Sequence, residues 1–234
     1  MSDNGKVRGT WLFYVARLLL WSFLRVFNGM RTRQPRPSLS LDEGFLVVAN
    51  HTTFWDPIIV GCSVWERPCW FLARDTLFVG LWGKILRKVH AIPVQRGGLD
   101  REALQNVIDT LKSGRTVVMF PEGTRSASGE VGKFRNGFVK MAQDAGVRVL
   151  PVGVHGGFEV WSRHQTLPRL FRRIETVVGE PMWVPDGVSR QAFAEEVRRR
   201  VADLAGKPLP AGDDLTEKAA EPVESSCKAN SPTE

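Results

Sequence analysis

His51 and Asp56 stand five positions apart in the run Asn50-His51-Thr52-Thr53-Phe54-Trp55-Asp56-Pro57, directly after an apolar stretch. An imidazole beside a carboxylate is what a general base needs: the carboxylate fixes the tautomer and the other ring nitrogen takes a proton. On a continuous helix the two side chains would point about 140° apart and miss each other. A turn after a strand brings them together, and Pro57 biases Asp56 away from helical backbone. A plainer role stays open, in which Asp56 caps a helix that starts at Pro57 and His51 is a polar loop residue.

A second cluster, Phe120-Pro121-Glu122-Gly123-Thr124-Arg125-Ser126, leaves another apolar run. Gly123 permits a tight turn. Arg125 carries the planar fork that grips phosphate. Lys133 and Arg135 follow it, and Arg96 lies upstream in Pro93-Val94-Gln95-Arg96-Gly97-Gly98. Three or four cations can converge there on one anion; on separate solvated faces they are ordinary surface charges. His155 sits at a predicted strand end and can border the site, whereas nothing distinguishes His90 or His164. Cys62 and Cys69 read as small buried apolar residues rather than nucleophiles.

These residues need a scaffold. Gly44 to Ala49, Thr116 to Phe120 and Val147 to Val154 have the make-up of buried strands. Between them Leu104, Val107, Ile108 and Leu111 repeat at helical spacing, with Asp100 placed to cap the start and Gly114 the end. Phe138, Met141 and Ala142 mark a second helix closed by Gly146. Phe193, Val197, Val201 and Leu204 mark a third, from about Ser189 to Leu204. Strands separated by helices predict an α/β domain with a mixed, largely parallel sheet flanked by helices. Both clusters then leave carboxyl ends of strands, where ligands of such sheets gather.

The ends differ from the middle. Trp11 to Met30 is a helix-length apolar run with two charges, Arg17 and Arg25. A helix lying in a membrane interface, arginines toward the headgroups, suits this pattern best. A spanning helix and a core helix of the domain stay open, although each arginine would cost a span about 2.5–3.5 kcal/mol. Arg17 and the missing cleavage site argue against a signal peptide. If the run spans, Arg31, Arg33 and Arg36 outweigh Lys6 and Arg8 and put the main domain in the cytoplasm. Asp75 to Val89 is a second apolar stretch with a basic edge, suited to a membrane surface or to a core helix. The last 28 residues hold three lysines against six acidic residues. With so little apolar surface they predict a disordered acidic tail.

The 234 residues carry a net charge of +7, which points to an anionic partner. The tail is net −3, so the rest carries +10. Three cysteines in no metal-binding spacing argue against zinc and against a disulfide framework. No G-x-S-x-G elbow and no P-loop occur.

With these motifs in place, the sequence resembles the glycerolipid acyltransferases. His51 to Asp56 matches their H-x4-D block and Phe120 to Ser126 their F-P-E-G-T-R-S block. Pro93 to Arg96 and Val149-Leu150-Pro151-Val152 resemble their second and fourth blocks, in the family's order, over about residues 40–185. Ala91 stands where the family often has glycine, and Gln95 where an acidic residue is common. The resemblance implies that His51 deprotonates the free hydroxyl of 1-acyl-sn-glycerol 3-phosphate while Asp56 orients it. That hydroxyl would attack the thioester of acyl-CoA or acyl-carrier protein with no covalent acyl-enzyme, giving phosphatidic acid. Arg96 and Arg125 would bind the acceptor's phosphate. Glu122, Gly123 and Thr124 would shape that pocket, with Glu122 on a glycerol oxygen or on Arg125. Lys133 would add a phosphate contact and Arg135 a weaker one.

No cofactor, no metal and no nucleic acid are expected; the net charge points to an anionic membrane surface as partner, and the expected location is the cytoplasmic membrane with the active domain on the cytoplasmic side. The expected organisation is a membrane-associated helical segment over 1–36, an acyltransferase domain over 37–206 and the tail over 207–234. Transfer to another lysophospholipid or to a glycolipid is the near alternative. The alternative from a different class is a non-catalytic basic protein that binds membranes or nucleic acid.

Overall fold

The computed structural model describes residues 9–33, 43–64, 67–95, 101–207 and 209. Arg96, Asp100, Lys6, Arg8, Arg36 and nearly all of the expected tail lie outside them. The order of elements is α1 (Trp11–Phe27), β1 (Arg31–Thr32), β2 (Phe45–Ala49), α2 (Asp56–Ser63), β3 (Cys69–Arg74), a 3-10 turn (Asp75–Leu77), α3 (Gly80–Lys88), β4 (Ala91–Val94), α4 (Arg101–Lys112), β5 (Thr116–Met119), α5 (Gly137–Ala145), β6 (Arg148–His155), α6 (Gly157–Trp161), β7 (Glu175–Val178) and α7 (Arg190–Leu204).

One seven-stranded sheet runs β1-β7-β6-β2-β5-β3-β4. β6, β2, β5, β3 and β4 are parallel, with Val47 opposite Leu150 and Val118. β7 runs antiparallel to β6 and carries β1 beside it. The sheet is therefore mixed and largely parallel, as the alternation of strand and helix patterns predicts.

β2 explains its own unbroken apolar run. Leu46 and Val48 face a core built with α4, α5 and α7, whereas Phe45, Val47 and Ala49 face a second core under α1 and α2. A strand covered on both faces has no polar side to show. The helices end as the sequence indicates. Ser189 Oγ accepts the N–H of Ala192, and Gly146 closes α5 in the left-handed region.

α1 departs from expectation. Its 17 residues are about 25 Å long, short of the roughly 30 Å hydrocarbon core. Among the described residues no helix is long and apolar enough to cross a membrane. Arg17 does not reach outward with Arg25. It is buried, donates to the carbonyl of Arg67 at 2.8 Å, and lies 5.1 Å and 5.3 Å from the rings of Phe13 and Tyr14. A buried carbonyl and two ring faces hold the guanidinium inward, so this side of α1 packs on the domain. The opposite side leaves Trp11, Leu18, Leu19 and Val26 exposed.

The start of α1 is fastened to the turn before β4. Thr10 donates its N–H to His90 Nε2 at 3.2 Å, and the His90 ring is stacked between Phe13 and Trp70. Burial lowers the His90 imidazole to about 4, which keeps that nitrogen an acceptor. α3 is no core helix: only Gly83 is buried, and Leu81 and Trp82 are exposed.

Candidate active site

Asn50 ends β2 with its side chain locked on β6: Nδ2 donates to Val154 O at 2.9 Å and Oδ1 accepts Val154 N–H at 2.8 Å. The chain then turns through residues 51–55 into α2. Asp56, fully buried, begins that helix with Pro57 in its first turn. Asp56 is thus helical, against the bias of a following proline, and its carboxylate does not cap α2. It reaches back instead. Oδ2 accepts the N–H groups of Thr52 and Thr53 at 2.6 Å and 2.8 Å and lies 2.8 Å from His51 Nδ1. Three contacts on one oxygen outweigh the proline's steric preference. Burial pushes the Asp56 carboxyl above its usual range, while bonds from His51, Thr53 and Thr52 oppose that shift.

An acceptor at Nδ1 puts the proton there and leaves Nε2 with its lone pair. The His51 side chain is about one-fifth exposed, and its ring stacks on Phe120 at 4.4 Å. The second cluster holds its backbone. Glu122 Oε1 accepts His51 N–H at 2.8 Å, and Ser126 N–H donates to His51 O at 2.7 Å. Glu122 Oε2 accepts Gly132 N–H at 3.3 Å, and Arg198 of α7 donates to Gly132 O at 2.9 Å. Glu122 therefore spends both oxygens on backbone N–H groups. Burial raises its carboxyl to about 7, against the two hydrogen bonds. Gly123 turns at φ +72°, and a Cβ there would sit 3.3 Å from the Arg135 guanidinium carbon.

Arg125 lies with its guanidinium carbon 3.3 Å over the ring of Phe54. Its Nη1 is buried with no hydrogen-bond partner. Burial depresses the Arg125 guanidinium, Arg163 and Arg74 press the same way, and Asp56 opposes them. Arg74 and Arg163 thus add positive field at Arg125. Sequence reading singled out neither. Arg74 ends a parallel strand, the one signal available. Arg163 follows α6 in a loop that also places His164 Nε2 3.3 Å from Ala127 O. Thr124 and Lys133 are exposed on the same turn and the loop after it. His155 is committed elsewhere, with Nδ1 3.0 Å from Ala205 O. Cys62 and Cys69 are buried thiols, and burial pushes the Cys62 thiol up to about 12. Among the described residues no group of three His, Cys, Asp or Glu can hold a metal.

The arrangement can take a proton from a hydroxyl at Nε2 and hold an anionic group at Arg125. The 1-acyl-sn-glycerol-3-phosphate acyltransferase of Bacillus subtilis (strain 168) is 26% identical over 182 residues, covering 74% of this chain and 86% of the relative. That of Streptococcus pneumoniae is 31% identical over 164 residues, 66% and 59% of the two chains. The crystal structure of the 1-acyl-sn-glycerophosphate (LPA) acyltransferase from Thermotoga maritima has the same fold, with a TM-score of 0.63 at 24% identity over 86% of this chain and 79% of that one. Residues 28–155 match the family model described as Acyltransferase. That segment runs from the end of α1 to the end of β6 and contains His51, Asp56, Glu122 and Arg125, and the chain belongs to the acyltransferase family.

Proposed function

We propose that this protein acylates the free hydroxyl of 1-acyl-sn-glycerol 3-phosphate from an acyl thioester, giving phosphatidic acid. The observation that carries this reading is the 2.8 Å contact between His51 Nδ1 and Asp56 Oδ2, with Arg125 beside the same turn. His51 Nε2 takes the hydroxyl proton as the oxygen attacks the thioester carbon. A C–O bond forms, the C–S bond breaks, and the leaving thiolate recovers the proton from the imidazolium. No covalent acyl-enzyme is needed. Asp56 holds the tautomer, and Glu122 holds the His51 backbone. Arg125, with Arg74 and Arg163, takes the acceptor's phosphate; Arg96 and Lys133 are candidates for the same group. The names of the relatives support this acceptor. The donor is acyl-CoA or acyl-carrier protein.

The exposed apolar faces of α1 and α3 support work at a membrane surface; the cytoplasmic side is part of the same proposal. The test is transfer of a radiolabelled acyl chain to lysophosphatidic acid in detergent or lipid, wild type beside His51→Ala. Product from the wild type alone is expected. Equal turnover by both would remove His51 as the base. No product from either folded protein, with both donors tried, would remove the acceptor assignment.

A further inference from the structure

Six aromatic rings form an unbroken row that begins at Arg125. From Phe54, which lies under the guanidinium, the next centroid is Trp161 at 4.6 Å, then Trp55 at 5.7 Å. Phe23 of α1 follows at 5.7 Å, Phe27 at 4.8 Å and Phe171 at 6.3 Å. One end is cationic and lies on the turn that carries His51 and Asp56. The other end joins the apolar face of α1, where Phe171 is 79% exposed.

Phe171 is also strained. Its φ is +61°, a region costly for a bulky side chain. Its N–H donates to Phe27 O at 2.7 Å, which fixes its backbone beside the end of α1. Phe54 is half exposed as well, so the row is open to ligand at both ends.

A track of rings with a guanidinium at one end fits an amphiphile whose anionic head adjoins its chain. The lysophospholipid acceptor is such a molecule. The donor is not, because the reacting end of its chain is an uncharged thioester. We infer that the row binds the acceptor's own acyl chain: phosphate at Arg125, free hydroxyl at His51, and chain along Phe54, Trp161, Trp55 and Phe23 toward a bilayer at Phe27 and Phe171. This rests on the acyltransferase reading above. It adds a chain site that lets the acceptor be drawn from the lipid surface without leaving it.

The experiment measures kcat/KM for 1-palmitoyl- and 1-hexanoyl-sn-glycerol 3-phosphate at fixed donor concentration. In Trp161→Ala the long-to-short ratio falls about tenfold, from lost contact along the long chain only. Trp161→Phe, which keeps a ring, restores most of it. Phe171→Gly relieves the strain and preserves the fold, yet lowers the ratio about threefold through the lost apolar contact. A row that merely clamps α1 to α2 and α6 would slow both acceptors alike. An unchanged ratio in all three variants therefore overturns the inference and leaves the acyltransferase reading standing. A wild type that acylates neither acceptor overturns both.

Discussion

The carboxylate of Glu122 accepts the backbone N–H of His51 at 2.8 Å across 71 residues of chain. It ties the loop after β5 to the loop after β2 and aims the base without touching its ring. The arrangement has a cost, because burial raises the Glu122 carboxyl from 4.5 to about 7. Below pH 4.5 the group is protonated in folded and unfolded chains alike. As pH rises from 4.5 to 7 the unfolded carboxyl ionises first, so the folded state loses stability, about 2–3 kcal/mol from this group. Glu122→Gln removes the ionisation but keeps one acceptor oxygen, so its NH2 must face one of the two backbone N–H groups, at a cost that does not depend on pH. In urea unfolding the stability of the variant relative to wild type should therefore rise by about 2–3 kcal/mol between pH 4.5 and pH 8. Its kcat should fall at least about tenfold, because the His51 backbone loses a charged anchor. A variant equally destabilised at every pH would show that ionised Glu122 is not under strain.

Asp56→Asn tests the tautomer directly. Asp56 Oδ2 already receives the N–H groups of Thr52 and Thr53, so the amide oxygen of an asparagine must stay there. Its NH2 then occupies the place of Oδ1, which is buried without a partner. An unsatisfied buried donor costs about 1–3 kcal/mol. The oxygen can still accept from Nδ1, but the charge that stabilises an imidazolium is gone. We expect kcat to drop about 10²–10⁴-fold while acceptor KM stays within about twofold. A large rise in KM with kcat unchanged would make Asp56 a binding group instead.

Arg125 is held by the ring of Phe54, not by a carboxylate, and its buried Nη1 has no hydrogen-bond partner. Arg125→Lys keeps the charge and loses the planar stack and fork. It should raise acceptor KM about tenfold and leave donor KM alone. Arg163→Ala removes a neighbour that presses on Arg125. It should raise acceptor KM by about threefold and weaken the inhibition by added salt. If neither variant changes acceptor KM, the phosphate lies elsewhere.

The scaffold was legible because its signals are local. β2 and β5 read as apolar runs, α4 and α5 as helical repeats with glycine stops, and α7 as a helical repeat from about Ser189 to Leu204. The same turn chemistry marked Gly123. The partnerships across the fold were not legible. Glu122 pairs with backbone N–H groups, which no side-chain pattern announces. Arg74 and Arg163 bring their charge to bear on Arg125 only because β3 lies beside β5 and the loop after α6 reaches Ala127. Arg17 turned inward because the carbonyl of Arg67 waits for it, 50 residues away. The aromatic row needs α1 laid against α2, and the apolar run of α1 alone gave no hint of which rings would face inward.

Gly157 was passed over for the same reason, although it follows β6 as the second of two glycines. A Cβ on it would stand 2.7 Å from Thr52 Oγ1, 3.1 Å from Thr53 Cγ2 and 3.3 Å from Asp56 Oδ1. Those are the residues whose N–H groups hold the Asp56 carboxylate, and that carboxylate itself. Gly157→Ala must push the turn away from α6, at a cost of about 1–3 kcal/mol. The shift is passed to His51 through a 2.8 Å contact. Displacing a base by about 1 Å costs on the order of 100-fold in rate, so kcat should fall by that order. Gly137→Ala is the control: nothing lies within 4 Å of its added methyl, and it opens α5. It should leave kcat unchanged and raise stability by up to about 1 kcal/mol. Thermal melts and single-turnover rates on both variants separate the outcomes. A Gly157→Ala protein with wild-type kcat would mean that the turn tolerates the methyl and that α6 has no part in aiming the base.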